Sequence, residues 1–354
     1  MSMKKILFFI LLSTFLVSCR QGIKTSEVAS STITSDKAIY HWKTEFNLND
    51  YELDFIARHD ISRIYIKMFD VALQNGANLD TLAVIPIATT RFRSPVPEGL
   101  EIIPTVYITL EALSHLKGKD LSYIESYVKR ILTRVEAMAS YNELPPIKEV
   151  QFDCDWTSST RAAYYYICRS AKQILNSKGK KFSITLRLHQ MSKQDFGMPA
   201  DRGVLMLYNT GSFRNPDTVN SILSYEDAEP YIREHSISYP VDYAYPTYSW
   251  NLLFRDNGFK CIIRDIDLTD TSLFQKSDYN RYIALRDTVV SGTPLKTGDM
   301  IRNESSRFRE IERVKSDLSR RHNMKRSRHI IYHLDSANLS KYTDDEIEYM
   351  LLSY

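Results

Sequence analysis

The sharpest chemical feature of the sequence is Phe152-Asp153-Cys154-Asp155-Trp156-Thr157, which sets two carboxylates two positions apart at the end of a β-rich run. In an extended strand alternate side chains share a face, so Asp153, Asp155 and Thr157 are expected to point the same way. Two like charges held that close do not both ionise cheaply. One pKa rises and the pair can share a proton, a state suited to acid catalysis. The same spacing equally suits a structural pair, one aspartate capping the following helix and the other hydrogen-bonded inside the fold. On spacing alone the structural role is favoured.

Other candidates end other strand-like runs: His41, Trp42 and Lys43; Lys67 and Asp70; Tyr107; Arg187, His189 and Gln190; Tyr208 and Asn209; Tyr245, Tyr248 and Trp250; His333 and Asp335. They make an aromatic, polar rim of the kind a sugar needs, since a flat ring covers its CH face while amides and charges take its hydroxyls. Trp42, Trp156 and Trp250 are the candidate stacking platforms. Arg187, Tyr208, Asn209 and Tyr248 complete the substrate-binding set. His41, His189 and His333 could meet Asp153 around a metal, but no H-x-H or H-E-x-x-H pair supports this, so neither metal nor cofactor is expected. The basic run Arg320 to His329 reads more readily as a solvated loop than as an anion site.

These residues need a frame. The chain has 354 residues, 43% hydrophobic, with a formal net charge of +3, 23 tyrosines and 11 glycines. That near-balanced charge points to no nucleic acid or other polyanion. Short β-rich runs alternate with longer helical patterns, the sign of βα units. The runs are Ala38 to Lys43, Arg63 to Phe69, Ile102 to Ile108, Glu149 to Trp156, Lys181 to Leu188, Gly203 to Tyr208, Val241 to Tyr248 and Arg328 to Leu334. Helices are expected over Leu48 to His59, Leu121 to Ala139, Ser158 or Ser159 to Leu175, Asp217 to His235, Ser305 to Ser319 and Thr343 to Leu352. Eight units predict an α/β fold, a (β/α)8 TIM-like barrel over residues 38–354, with 251–303 as a small β-rich insertion between strands 7 and 8. An open doubly wound sheet is the alternative, although no Gly-rich phosphate loop follows an early strand.

The N-terminus has Lys4 and Lys5, an apolar run from Ile6 to Leu12, and Leu16-Val17-Ser18-Cys19. Residues 1–18 read as a secretory signal peptide, too short for a lasting membrane span. The last four residues of this stretch resemble a bacterial lipobox, which implies lipidation (palmitate among the acyl groups) on Cys19. Residues 19–37, rich in Ser and Thr, read as a flexible tether. The remaining cysteines, Cys154, Cys168 and Cys261, are odd in number and widely spaced, which argues against a disulfide framework.

Phe152 to Thr157 resembles the fourth-strand D-x-D-x-E motif of chitinase-type glycoside hydrolases, with Asp153 and Asp155 on its aspartates and Trp156 on its common aromatic. Met206-Leu207-Tyr208-Asn209 resembles that family's sixth-strand M-x-Y-D/N, whose polar residues bind the substrate's N-acetyl group. Val150 to Asp155 is also similar to the acidic V-Q-x-D-x-D strand of uncharacterised bacterial lipoproteins. The resemblance implies a glycan or oligosaccharide partner, catalytic roles for Asp153 and Asp155, and an outer-membrane location in the cell envelope. The departure is Thr157, which stands where the family has its glutamate general acid. Threonine has no proton to give at neutral pH, and losing such an acid costs about 10²–10⁴-fold in rate. The acid is then either Asp155, with its pKa raised by Asp153, or a carboxylate from another strand such as Asp70 or Asp335. Three expectations follow: a glycoside hydrolase-like lipoprotein with a relocated acid, a non-catalytic carbohydrate binder, or a scaffold lipoprotein.

Overall fold

The computed structural model describes residues 37–73, 84–191, 197–233 and 240–353. Cys19, the signal peptide and nearly all of the tether lie outside the described residues.

Eight strands form the frame: β1 (Ala38–His41), β2 (Arg63–Leu73), β3 (Glu101–Ile108), β4 (Glu149–Asp153), β5 (Lys181–Arg187), β6 (Arg202–Met206), β7 (Val241–Pro246) and β8 (His329–Tyr332). Neighbours are parallel throughout, and β1 pairs with both β2 and β8. That closes the sheet into a (β/α)8 barrel and rules out the open sheet. Period-2 alternation gives each strand two different faces. One face joins the large shell under the helices, with Ile39, Phe152, Phe182, Ile184 and Leu205. The other fills the barrel interior with Ala38, Tyr40, Tyr65, Ile103, Val204, Met206, Ala244 and Ile330.

Local chemistry sets the helices. Helix α1 (Asp50–Arg58) begins at Asn49, whose side chain accepts from the Glu52 N–H while Glu52 accepts from the Asn49 N–H. That reciprocal capping box satisfies two otherwise orphaned donors. Helix α2 (Leu121–Tyr141) starts at Asp120 and buries Ile124, Val128, Ile131, Leu132 and Val135 along one stripe. Helices α3 (Arg161–Ser177), α4 (Tyr225–Arg233), α5 (Phe308–Arg321) and α6 (Asp344–Leu351) follow. The expected helix over Asp217 to His235 is shorter than its pattern. It starts only after Ser224, whose hydroxyl accepts from the Asp227 N–H, because Asn220 and Ser221 spend their polar groups on the segment Met300–Ser305 instead. Among the described residues no helix follows β2; the chain returns as Val84–Ile87, antiparallel to β2.

After β7 the chain leaves the barrel to build a five-stranded antiparallel sheet from Ser249–Arg255, Gly258–Ile263, Phe274–Asp278, Arg281–Ala284 and Met300–Ser305. Its own core is Leu253, Ile263, Phe274, Ala284, Leu295 and Ile301. Arg302 and Glu304, both fully buried and 2.6 Å apart, tie it to the loop after β6. At the N-terminal end of the barrel, Arg328 lies 2.9 Å from Glu149 and Arg202 lies 2.6 Å from Asp242. The basic run is therefore not one exposed surface: Arg328 enters the barrel, while Arg320 and Arg321 pair with Asp317.

His41 and His329 are each 1% exposed, and burial holds both imidazoles near a pKa of about 3. An unfolded histidine takes a proton near pH 6.5, whereas these two do not until about 3. Their contribution is thus complete above pH 6.5 and is lost as the pH falls. Buried Asp242, held up at about 6, acts with the opposite sign, so a difference between variants isolates the effect. Between pH 7.5 and 5.0 the native chain is expected to lose about 2 kcal/mol more stability than His329→Phe, from roughly 1.4 kcal/mol per pH unit. Urea unfolding at both pH values checks this, and parallel losses in the two proteins would refute it.

Candidate functional site

Strand register assembles the site at the C-terminal end of the barrel. Tyr107 on β3 stands opposite Asp153 on β4, and Arg187 on β5 stands opposite Met206 on β6. Thr185, two residues before Arg187 and so on the same face, donates to Asp153 Oδ1 at 2.5 Å. Arg187 closes the group: its Nε lies 2.5 Å from Asp155 Oδ1 and its Nη2 lies 3.5 Å from Asp153 Oδ1. The guanidinium also sits 5.7 Å from the centre of the Tyr208 ring. Its backbone N–H donates to Gln190 Oε1 at 2.9 Å, and Gln190 Nε2 donates to the Trp156 carbonyl at 3.0 Å. Strand end, turn and cation are thus one connected unit.

The electrostatics follow from burial. Asp153 is 3% exposed; burial raises its pKa, Arg187 opposes that and Asp155 adds to it. Burial likewise lowers the affinity of Arg187 for its proton, but the two aspartates outweigh it and hold the guanidinium charged. Tyr107 and Tyr208 are pushed upward, chiefly by burial. Both hydroxyls are neutral donors.

Thr157 stands apart from this unit. Strand β4 ends at Asp153, so alternation does not carry on to Thr157. Its side chain is exposed, and its hydroxyl lies 3.0 Å from Ser159 Oγ and 3.3 Å from Thr160 Oγ1 in the turn that opens α3. Trp156 is not part of the mouth either. It is 9% exposed and stacks on Tyr164 of α3, with ring centres 6.5 Å apart, on the outer side of the barrel wall. The extra turn beyond β4 directs it there, so it offers no open face to a sugar.

The other candidates do converge. Trp42, Tyr208 and Tyr248 surround Tyr332: its ring lies 6.0 Å from Trp42, 4.7 Å from Tyr208 and 5.8 Å from Tyr248. Tyr248 continues to Trp250 at 5.6 Å and donates its hydroxyl to Asn209 Oδ1 at 2.7 Å. Asn209 has a left-handed φ of +55°, which an asparagine tolerates better than most residues. Trp250 Nε1 donates to Glu304 at 2.7 Å. Tyr208 is buried, while Trp42, Tyr248, Trp250 and Tyr332 keep part of their surface open. The mouth is therefore a packed aromatic floor with exposed edges.

The alternative acids are spoken for. Asp70 lies 3.1 Å from Lys67, and Asp335 lies 3.1 Å from Lys43, which also binds Glu52 of α1. Burial works to raise the pKa of Asp335, yet the contact with Lys43 takes it below the usual carboxylate range. No group of three or more His, Cys, Asp or Glu side chains is placed to hold a metal among the described residues. Sequence reasoning missed Thr185, Tyr332 and Glu304. The first two share a face with Arg187 and with Ile330 by simple alternation, whereas Glu304 carries no local signal.

No protein-family profile matches the chain, and no curated protein matches it in sequence. Among solved structures, the C-terminal domain of a protein assigned as a chitinase, from Desulfitobacterium hafniense DCB-2, is similar with a TM-score of 0.50 and 11% identity, covering 86% of this chain and 96% of that one. A chitinase from Chromobacterium violaceum ATCC 12472 gives a TM-score of 0.49 and 12% identity, covering 89% and 97%. Together with the closed parallel barrel, the first of these establishes a chitinase-type (β/α)8 fold.

Removing Arg187 leaves Asp153 enclosed with its main positive partner gone. Arg187→Met is expected to destabilise the chain by about 3 kcal/mol at pH 7, with part of the loss restored by adding Asp153→Asn. Equal stability of Arg187→Met and the native chain in denaturant unfolding would show that the cation is dispensable.

Proposed function

We propose that this chain is a cell-envelope lipoprotein, anchored through Cys19 at the outer membrane, whose barrel mouth binds a glycan without hydrolysing it. The observation that carries this reading is the contact of Arg187 with both Asp153 and Asp155. Hydrolysis through a relocated acid requires a carboxyl that is protonated and can reach the glycosidic oxygen. Asp155 reaches the surface, but its Oδ1 is occupied by Arg187 Nε at 2.5 Å. Asp153 holds a proton more readily but is enclosed and already accepts from Thr185. Thr157 supplies no acid. What remains is a surface of ring edges, hydroxyls and amides, suited to holding a sugar. The raised proton affinity of Asp153 favours a second reading, a hydrolase acting through that carboxyl, and one experiment separates the two.

That experiment is a glycan array probed with the full chain in detergent, with every hit assayed for new reducing ends. Binding without new reducing ends is expected, weakened about tenfold in Trp42→Ala by loss of an aromatic contact. New reducing ends that vanish in Asp155→Asn would establish the hydrolase, and no binding at all would leave a scaffold.

The anchor rests on the lipobox-like Leu16-Val17-Ser18-Cys19. Cys19→Ser is expected to abolish incorporation of labelled palmitate and to release the chain from the membrane fraction. Unchanged labelling would refute the anchor.

A further inference from the structure

The aromatic floor does not stop at the barrel. From Tyr248 and Trp250 it passes to Phe213, whose ring lies 6.0 Å from Trp250, and on to Phe259, 5.2 Å from Phe213. Phe213 belongs to the loop after β6 and Phe259 to the inserted sheet, and both are partly exposed. At this end stands Arg214. Its guanidinium lies 5.3 Å from the Phe213 ring centre and 5.4 Å from that of Phe259. The residue is exposed and forms no ion pair or hydrogen bond among the described residues.

The backbone on either side of Arg214 is fixed. Buried Arg302 donates to the carbonyls of Phe213 at 3.1 Å and Asn215 at 2.6 Å, and Arg281 donates to that of Pro216 at 3.0 Å. Both rings lie against the guanidinium, and its N–H groups, without a partner among the described residues, can meet a carboxylate in two parallel hydrogen bonds. An arginine set between two rings on a braced loop, with no charged partner among the described residues, is placed to read an anion at the end of the ring surface.

Building on the glycan-binding reading, we infer that the glycan bound here is acidic: Arg214, held by Phe213 and Phe259, reads a carboxylate on a sugar lying beyond Trp250. The inserted sheet thereby sets specificity, while the barrel mouth holds the neutral sugar rings.

The test compares two probes on the full chain in detergent at low salt: a neutral β-1,4-linked N-acetylglucosamine hexamer and the same hexamer oxidised to carboxylate at C6. The native chain is expected to prefer the oxidised hexamer about tenfold, the scale of one charge-assisted contact. That preference should disappear in Arg214→Gln and shrink with added salt, with affinity for the neutral hexamer unchanged. Equal affinity for both probes, or a preference that persists in Arg214→Gln, would overturn the inference while leaving glycan binding intact. Failure of both probes while other glycans bind on the array would overturn this inference and leave glycan binding intact, and failure of the array as well would remove both.

Discussion

A guanidinium placed against two carboxylates governs what the mouth of this barrel can do. A buried carboxylate without a partner costs several kcal/mol, so a barrel that carries Asp153 on its inner face must either neutralise it with a proton or balance it with a cation. Here Arg187, one strand over, balances it and takes Asp155 as well. The cation opposes the rise that burial and Asp155 impose on Asp153 and occupies the carboxylate oxygens an acid catalyst would need free. The same arginine supports the Tyr208 ring and is anchored through Gln190 to the turn after β4. Structure and chemistry at the mouth thus share one cause.

A second buried pair extends the arrangement outward. Arg302 and Glu304 carry opposite charges on the same face of one strand of the insertion, and both also bond to the loop after β6, Glu304 to Trp250 as well. Isolated pairs of this kind contribute little net stability, but a pair also hydrogen-bonded to its surroundings fixes geometry. The insertion is therefore more than an appendage between β7 and β8. It fixes the loop that carries Phe213 and Arg214 and orients the indole of Trp250.

Much of this was legible in the sequence because periodicity reports burial. Alternation in the runs around Ile39, Ile64, Ile103 and Ile330 was enough to place eight strands, and the helical stripe from Ile124 to Val135 marked α2. Asp153, Asp155, Arg187, Tyr208 and Tyr248 are legible as neighbours because each lies at, or two residues past, the end of a barrel strand. Trp156 and Thr157 were misplaced because the strand rule was carried past Asp153, where the ladder ends and the backbone turns toward α3. The partnership of Arg187 with the acidic pair was out of reach, since 32 residues separate it from Asp155 and only parallel register joins them. The helical reading of Asp217 to Ser224 failed for a related reason: contacts from the insertion claim that segment's polar groups, and no local pattern reports them.

The most direct test of the central claim uses ¹⁸O-labelled water. The full chain would be held at saturating concentration of its best-bound glycan, and the recovered oligosaccharide analysed by mass spectrometry. A mouth whose acidic pair is balanced by Arg187 returns the glycan at full length with no ¹⁸O at any reducing end. Shorter fragments carrying ¹⁸O, absent when Asp153→Asn or Asp155→Asn is used, would contradict the account and make this barrel a hydrolase.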